Sequence, residues 1–492
     1  MSRVRPQPPV TESSSISLSE IISSLSFALD LTEGAVAGHA LRTCLLGMRL
    51  AEEAGVSPGE QRSLYYALLL KDVGCSSNAA RMCEILGGGD DRVVKAGVKL
   101  DDWTEPHKPK LSTLRLLWNT VLPEANAWDR VAHIGRIGLT QHRNNEEMIA
   151  LRCDRGASIL RKLSMGDAAA EAVRALDEHW DGSGYPERRR GAAIPLLGRI
   201  CAVAQHLDVF ATERGATKAL AVLSERSGQW FDPELVRMAF SLNAEGRLWA
   251  GQHSGGGVEE TRRAVLAIAP SDAGGLHGSE IDNICAAFAE VVDAKSPFTF
   301  RHSVGVAEAA DRIAEQMGLE QDRRRLLHRA SLLHDLGKLS VPNSILDKPG
   351  KLTGAEWAVV RGHPALSRKI LKPLPAFAGV AAIAGEHHER LDGTGYPDRR
   401  VANELSLESR ILGMADVYGA LAEDRPYKSG LETEQILAIM SKEVPHKLDP
   451  DCFQALLQML SGRTKPAAKQ ILRPALPLCA PTIGGSAPIF VN

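Results

Sequence analysis

His334-Asp335-Leu336-Gly337-Lys338 and His387-His388-Glu389-Arg390-Leu391-Asp392-Gly393-Thr394-Gly395-Tyr396-Pro397 decide how the chain is read. The first stretch sets an imidazole beside a carboxylate, with a lysine three residues on. The second opens on a histidine pair and closes through a Gly-rich turn on Gly-Tyr-Pro. His302 lies upstream, His363 between the two, and Asp416 downstream. Neutral imidazoles with carboxylates are a ligand set for divalent transition metals, and this many can support two ions. Successive residues of a regular helix point about 100° apart, so His334 and Asp335 converge only where a helix is ending. Gly337 predicts that ending, as a C-terminal breaker; Asp392, Gly393 and Gly395 predict another beyond the histidine pair. The expected picture is a helical bundle with metal ligands at helix ends around one pocket.

Working outward, apolar periodicity and stop signals predict helices over 281–294, 302–317, 323–334, 376–388, 407–422, 431–443 and 450–461. Thr353 with Glu356 is a capping box that starts the helix leading to His363, and Pro364 suits the first turn of the next one. The order His-Asp-x-Gly-Lys, a lone His, His-His-Glu-x-x-Asp-Gly-x-Gly-Tyr-Pro and a downstream Asp resembles the HD-GYP family, a subgroup of the HD-domain metal phosphohydrolases. The resemblance runs from about residue 280 to 460.

That resemblance implies hydrolysis of cyclic di-GMP with two divalent metal ions, iron or manganese, zinc being open as well. It implies that Asp335 bridges the ions, that His302, His334 and Asp416 complete one, and that His363, His387 and His388 serve the other. Lys338 would set a cation against a phosphate oxygen beside the catalytic Asp335. Gly395, Tyr396 and Pro397 would form a substrate wall, and Arg425 and Lys428 would contact guanine or the second phosphate. Three-metal members carry a glutamate four residues before the first histidine. Phe298 stands there, so two ions are expected rather than three. Glu386 and Glu389 read either as supports for neighbouring ligands or as solvent-facing charges.

The same pattern recurs earlier. Leu69-Leu70-Lys71-Asp72-Val73-Gly74 parallels Leu332-Leu333-His334-Asp335-Leu336-Gly337 at a separation of 263 residues, which also relates His39 to His302. Glu178-His179-Trp180-Asp181-Gly182-Ser183-Gly184-Tyr185-Pro186 parallels Glu389 to Pro397 at 211, leaving 52 extra residues in between. The first half therefore reads as a second copy, and as one that has lost its chemistry. Lys71, Arg152, Leu176, Asp177 and Gln205 stand where His334, His363, His387, His388 and Asp416 stand later. Lys71 and Arg152 bring fixed positive charge that could neutralise Asp72 and Asp177 without a metal. Its Gly184-Tyr185-Pro186 is either a structural turn or part of a nucleotide-binding or dimerising module. The extra residues could lie over the dead pocket as a lid.

The expected fold is all-α, two tandem HD-type helical bundles with an intact metal site in the second. The expected organisation is a disordered lead over 1–15, a degenerate domain over 16–245, a Gly-rich linker over 246–277, a catalytic domain over 278–462 and a flexible tail over 463–492. Few aromatics, 5%, and abundant Ala and Leu favour helix. A net charge of -2 argues against binding nucleic-acid polymers or membrane surfaces. No apolar run approaches a membrane span, residues 1–15 lack a signal-peptide core, and the eight scattered cysteines form no Cys-x-x-Cys, which together imply a cytoplasmic protein. The expected partner is cyclic di-GMP or a related cyclic dinucleotide, with a homodimer or a signalling-protein partner left open. The rival class is an adaptor that binds a cyclic dinucleotide or a protein without turnover.

Overall fold

The computed structural model describes residues 16–98, 111–123, 125–251, 257–271, 275–299, 301–423 and 430–462. The expected lead 1–15, the tail 463–492, and the basic pair Arg425 and Lys428 lie outside these. The described residues are all helical apart from loops and two isolated bridges. None of their helices is long and apolar enough to cross a membrane.

Local signals set the helix ends. The Thr353 hydroxyl accepts from Glu356 N and the Glu356 carboxylate accepts from Thr353 N, closing the capping box that opens the helix Gly354–Arg361. The next helix, His363–Leu371, carries Pro in its first turn, and Leu407–Ala422 and Pro450–Ser461 begin and end where periodicity places them. The helix Gln321–Leu333 stops at His334, and the chain tightens into a 3-10 turn over Leu336–Ser340. Gly337 acts differently from the expected breaker. It has no positive φ; a Cβ there would lie 2.1 Å from the His363 carbonyl oxygen. Glycine is needed because two backbones meet, and that approach brings the turn carrying Asp335 against the helix carrying His363.

Two buried carboxylates tie helix starts to preceding helices. Asp293 accepts from Ser303 N at 3.1 Å and Ser303 Oγ at 2.7 Å, anchoring the helix His302–Gln316. Asp30, 263 residues earlier, accepts from Gly38 N at 2.8 Å and Ala40 N at 3.0 Å beside the helix His39–Glu53. Burial pushes both acids up, Asp293 to about 6 and Asp30 to about 7.

One buried apolar cluster draws residues from both halves, from Ile16 to Met459. The helix Leu18–Thr32 packs on the 336–340 turn and on the helix His363–Leu371, where Ser24 Oγ donates to Ile370 O at 2.6 Å. The helix Val258–Ala267, within the expected linker, buries Val265 and packs on the first two helices. The described part of the extra segment reaches the second half. Asn343 N donates to Asp91 Oδ1 at 3.2 Å, and the Arg92 guanidinium donates to Ser340 O. These helices therefore brace the loop that follows the 336–340 turn.

Candidate metal centre

Seven side chains from five places in the chain converge: His302, His334, Asp335, His363, His387, His388 and Asp416, none more than 6% exposed. His302 begins one helix, His334 and Asp335 follow the end of another, His363 begins a third, His387 and His388 follow the helix Ala378–Glu386, and Asp416 lies within Leu407–Ala422. They form two trios of metal-ligating spacing, His302–His334–Asp335 and His363–His387–His388. Asp335 faces both. Its Oδ2 is 3.3 Å from His334 Nε2 and 3.7 Å from His302 Nε2, and its Oδ1 is 3.2 Å from His363 Nε2 and 3.8 Å from His387 Nε2. Asp416 joins from the other side, 3.3 Å from His302 Nε2 and 3.7 Å from His388 Nδ1.

Backbone carbonyls fix the tautomers. His334 Nδ1 meets Ser331 O at 2.6 Å, His363 Nδ1 meets Val360 O at 2.7 Å and His387 Nδ1 meets Ala384 O at 2.7 Å. A carbonyl only accepts, so each Nδ1 carries a proton, and a neutral ring held this way turns a bare Nε2 lone pair inward. His363 Nε2 and His387 Nε2 are 3.1 Å apart. Two lone pairs at that distance repel unless a cation or proton sits between them. His334 Nε2 and Asp335 Oδ1 are also buried without a hydrogen-bond partner. Unsatisfied inward donors of this type fit divalent metal ions.

Charge follows the same division. Burial holds His363 and His388 below the ordinary imidazole value, His388 well below it, and drives His387 down to about 3. Burial also works against a charged His302, but Asp416 and Glu423 outweigh it and raise the ring to about 10. Burial would raise Asp335 and Asp416. Their imidazole neighbours, with Lys338 beside Asp335, instead hold both carboxyls well below the usual range. Lys338 Nζ sits 2.5 Å from Asp335 Oδ2.

Sequence reasoning missed Glu423. Its carboxylate accepts from His302 Nδ1 at 2.9 Å, so His302 also presents Nε2 to the cluster. A carboxylate on the far nitrogen orients a ligating histidine. Glu386 and Glu389 are both buried rather than solvent-facing, and the partners they hold are not metal-ligand candidates. Glu386 accepts from Ser409 Oγ at 2.6 Å and pairs with Arg400. Glu389 accepts from Asp398 N and Arg400 N, pinning the Gly395-Tyr396-Pro397 turn. Tyr396 stands 4.8 Å, ring to ring, from His388.

The same frame recurs 211 residues earlier without the cage. Glu178 accepts from Glu187 N and Arg189 N, as Glu389 does from Asp398 N and Arg400 N. A Cβ on Gly74 would meet Arg152 O at 2.1 Å, as one on Gly337 meets His363 O. Inside, Lys71 pairs with Asp72 and reaches His39 Nε2 at 2.8 Å, while Arg152 pairs with Asp177. Glu33, Asp72 and Cys75 have metal-ligand spacing, yet Lys71 lies on Asp72 and Lys95 is 3.9 Å from Glu33.

The sequence pattern of the HD domain matches residues 137–235 and 286–452. The chain is 40% identical over 451 residues, 90% of its own length and 95% of the relative's, to 3'3'-cGAMP-specific phosphodiesterase 3 of Vibrio cholerae. It is 41% identical over 155 residues, 31% of its length and 41% of the relative's, to the cyclic di-GMP phosphodiesterase response regulator RpfG of Xanthomonas campestris. Among solved structures, a crystal structure of a cyclic GMP-AMP specific phosphodiesterase of V. cholerae superposes with a TM-score of 0.62 at 36% identity, covering 92% of this chain and 99% of that one. With the histidine–aspartate cage and these matches together, the chain belongs to the HD-domain phosphohydrolase family and is related to its HD-GYP members.

Proposed function

We propose that the chain is a metal-dependent phosphodiesterase of cyclic dinucleotides. The observation that carries this is the double trio around Asp335, with unprotonated nitrogens 3.1 Å apart. The relative aligned along most of the chain is named for 3'3'-cGAMP, which favours that substrate. Cyclic di-GMP, which the motif resemblance implies and which names several shorter matches, is the second substrate of the same class.

Two ions would be held, by His302, His334 and Asp416 on one side and His363, His387 and His388 on the other, with Asp335 available to both. The donors suit iron or manganese. Such a pair supplies a hydroxide at neutral pH and offsets charge on the phosphoryl oxygens. The chain's own residues do the rest. Lys338 moves from Asp335 to a non-bridging phosphate oxygen. The carbonyl-bound Nδ1 protons keep His334, His363 and His387 from turning, with Glu423 doing the same for His302 through its carboxylate. Gly395, Tyr396 and Pro397 bound the substrate side, and Arg425 and Lys428 supply further positive charge to the dinucleotide.

In this reading residues 278–462 form the catalytic bundle and residues 16–245 a degenerate copy of it, joined through 246–277. Lys71 and Arg152 supply the positive charge that metals supply in the second half. Metal analysis of the manganese- or iron-loaded chain is expected to show the ions lost in His387→Ala and unchanged in Asp72→Asn. Loss of an ion in Asp72→Asn would overturn the metal-free reading of the first half. The activity itself is tested by incubating the loaded protein with 3'3'-cGAMP and with cyclic di-GMP. A linear product, abolished by a chelator and restored by metal, is expected. Tight binding of either without product would make the chain an adaptor instead.

A further inference from the structure

Arg361 ends the helix Gly354–Arg361, two residues before His363. Its guanidinium carbon lies 5.5 Å above the ring of Tyr396 and 5.7 Å from the ring of Trp357, one helical turn earlier. Tyr396 in turn contacts His388. The side chain is therefore mounted on two aromatic rings at the rim of the cage, within the range of cation–π attraction. Arg361 is exposed, and no carboxylate or carbonyl among the described residues takes its N–H groups. By contrast, Arg368 is paired with Asp398, Arg400 with Glu386, and Arg410 with Asp449. An arginine held by its flat face, with its donor edge free beside a metal site, is arranged for a ligand that offers two acceptors side by side.

We propose that Arg361 is a substrate-binding residue that takes a paired-acceptor group of the cyclic dinucleotide outside the metal cage. This rests on the phosphodiesterase reading above. The scissile phosphate belongs to the cage, so the group is elsewhere on the ring. Two parts of the substrate present that chemistry: the oxygens of the second phosphodiester, and the O6/N7 edge of a guanine. Adenine replaces O6 with an amino donor and would oppose the guanidinium. Tyr396 then serves as the mount for Arg361 as well as a wall of the pocket.

The test compares metal-loaded wild type, Arg361→Ala and Arg361→Lys, with kcat and KM for 3'3'-cGAMP, cyclic di-GMP and cyclic di-AMP, and with Kd for each by titration calorimetry under calcium. Arg361→Ala is expected to raise KM and Kd about tenfold or more while kcat changes less than threefold and metal content and melting temperature hold. Arg361→Lys is expected to recover part of the loss. Equal weakening on all three dinucleotides assigns the phosphate. Weakening confined to the guanine-bearing two, with a narrower gap to cyclic di-AMP, assigns the base edge. Unchanged KM and Kd in an active Arg361→Ala enzyme overturns the proposal and leaves the phosphodiesterase reading standing. Binding without turnover in wild type, weakened in Arg361→Ala, removes the enzyme reading and keeps Arg361. A wild type that neither binds nor hydrolyses any of the three overturns both.

Discussion

Asp335→Ala is expected to abolish cyclic dinucleotide hydrolysis, with kcat/KM falling roughly 10³-fold or more, the equivalent of about 4 kcal/mol of transition-state stabilisation. The size follows from position. Asp335 meets two imidazoles of each trio within 4 Å, His302 and His334 through one oxygen and His363 and His387 through the other, whereas Asp416 meets only His388 of the second trio. In the proposed reading, removing it would take a ligand shared by both ions and leave the Lys338 ammonium beside the cage without its carboxylate partner. Metal content should fall with activity. Asp335→Asn, which keeps the volume and loses the charge, should fall nearly as far, separating charge from packing. The contrast is Glu423→Gln, at a carboxylate that hydrogen-bonds His302 Nδ1. Loss of such an outer carboxylate costs about 10–100-fold. An Asp335→Ala protein that keeps its metals and turns over substrate would end the proposed chemistry.

How much of this was legible beforehand depended on whether the information was local. The helices Leu407–Ala422 and Pro450–Ser461 carry their own periodicity and stops, and their bounds match those read from sequence. The cage could be read because its residues sit in motifs whose order is informative even though their partners are distant. The pairing of Lys71 with Asp72 and Arg152 with Asp177 was legible too, because the two fixed offsets place each against a later ligand. Glu423 was not. It is a single carboxylate capping the C-terminal end of the Asp416 helix, and only the fold brings it to His302, 121 residues away. Arg361 carries no pattern beyond its charge until Tyr396 is placed under it. The bracing of Ser340 and Asn343 by Arg92 and Asp91 joins segments some 250 residues apart, so a lid over the first pocket was as natural a reading as the strut that the structure describes.

Gly337→Ala is the second large effect, and it tests the geometry rather than the ligands. The new methyl would lie 2.1 Å from the His363 carbonyl oxygen, 2.9 Å from its carbon and 3.0 Å from its Cα, all backbone atoms that cannot rotate away. Either the 336–340 turn or the start of the His363 helix must shift. The shift breaks a relay in which Gly337 N donates to Ser367 Oγ at 2.8 Å and Ser367 Oγ donates to His334 O at 2.7 Å. Overpacking costs about 1–3 kcal/mol and two lost hydrogen bonds about 1 kcal/mol each, so a loss of roughly 3–5 kcal/mol is expected. The same movement separates Asp335 from His363, so metal affinity and activity should fall together with the melting temperature. Gly74→Ala meets Arg152 O at the same 2.1 Å in the first half. It should destabilise comparably while the metal content of the folded protein stays at the wild-type level. Gly305→Ala, on a helix with no atom within 4 Å of the added carbon, should instead stabilise by about 0.5–1 kcal/mol. If Gly337→Ala melted and bound metal like wild type, the close approach of the two backbones could not be what brings Asp335 between the two trios.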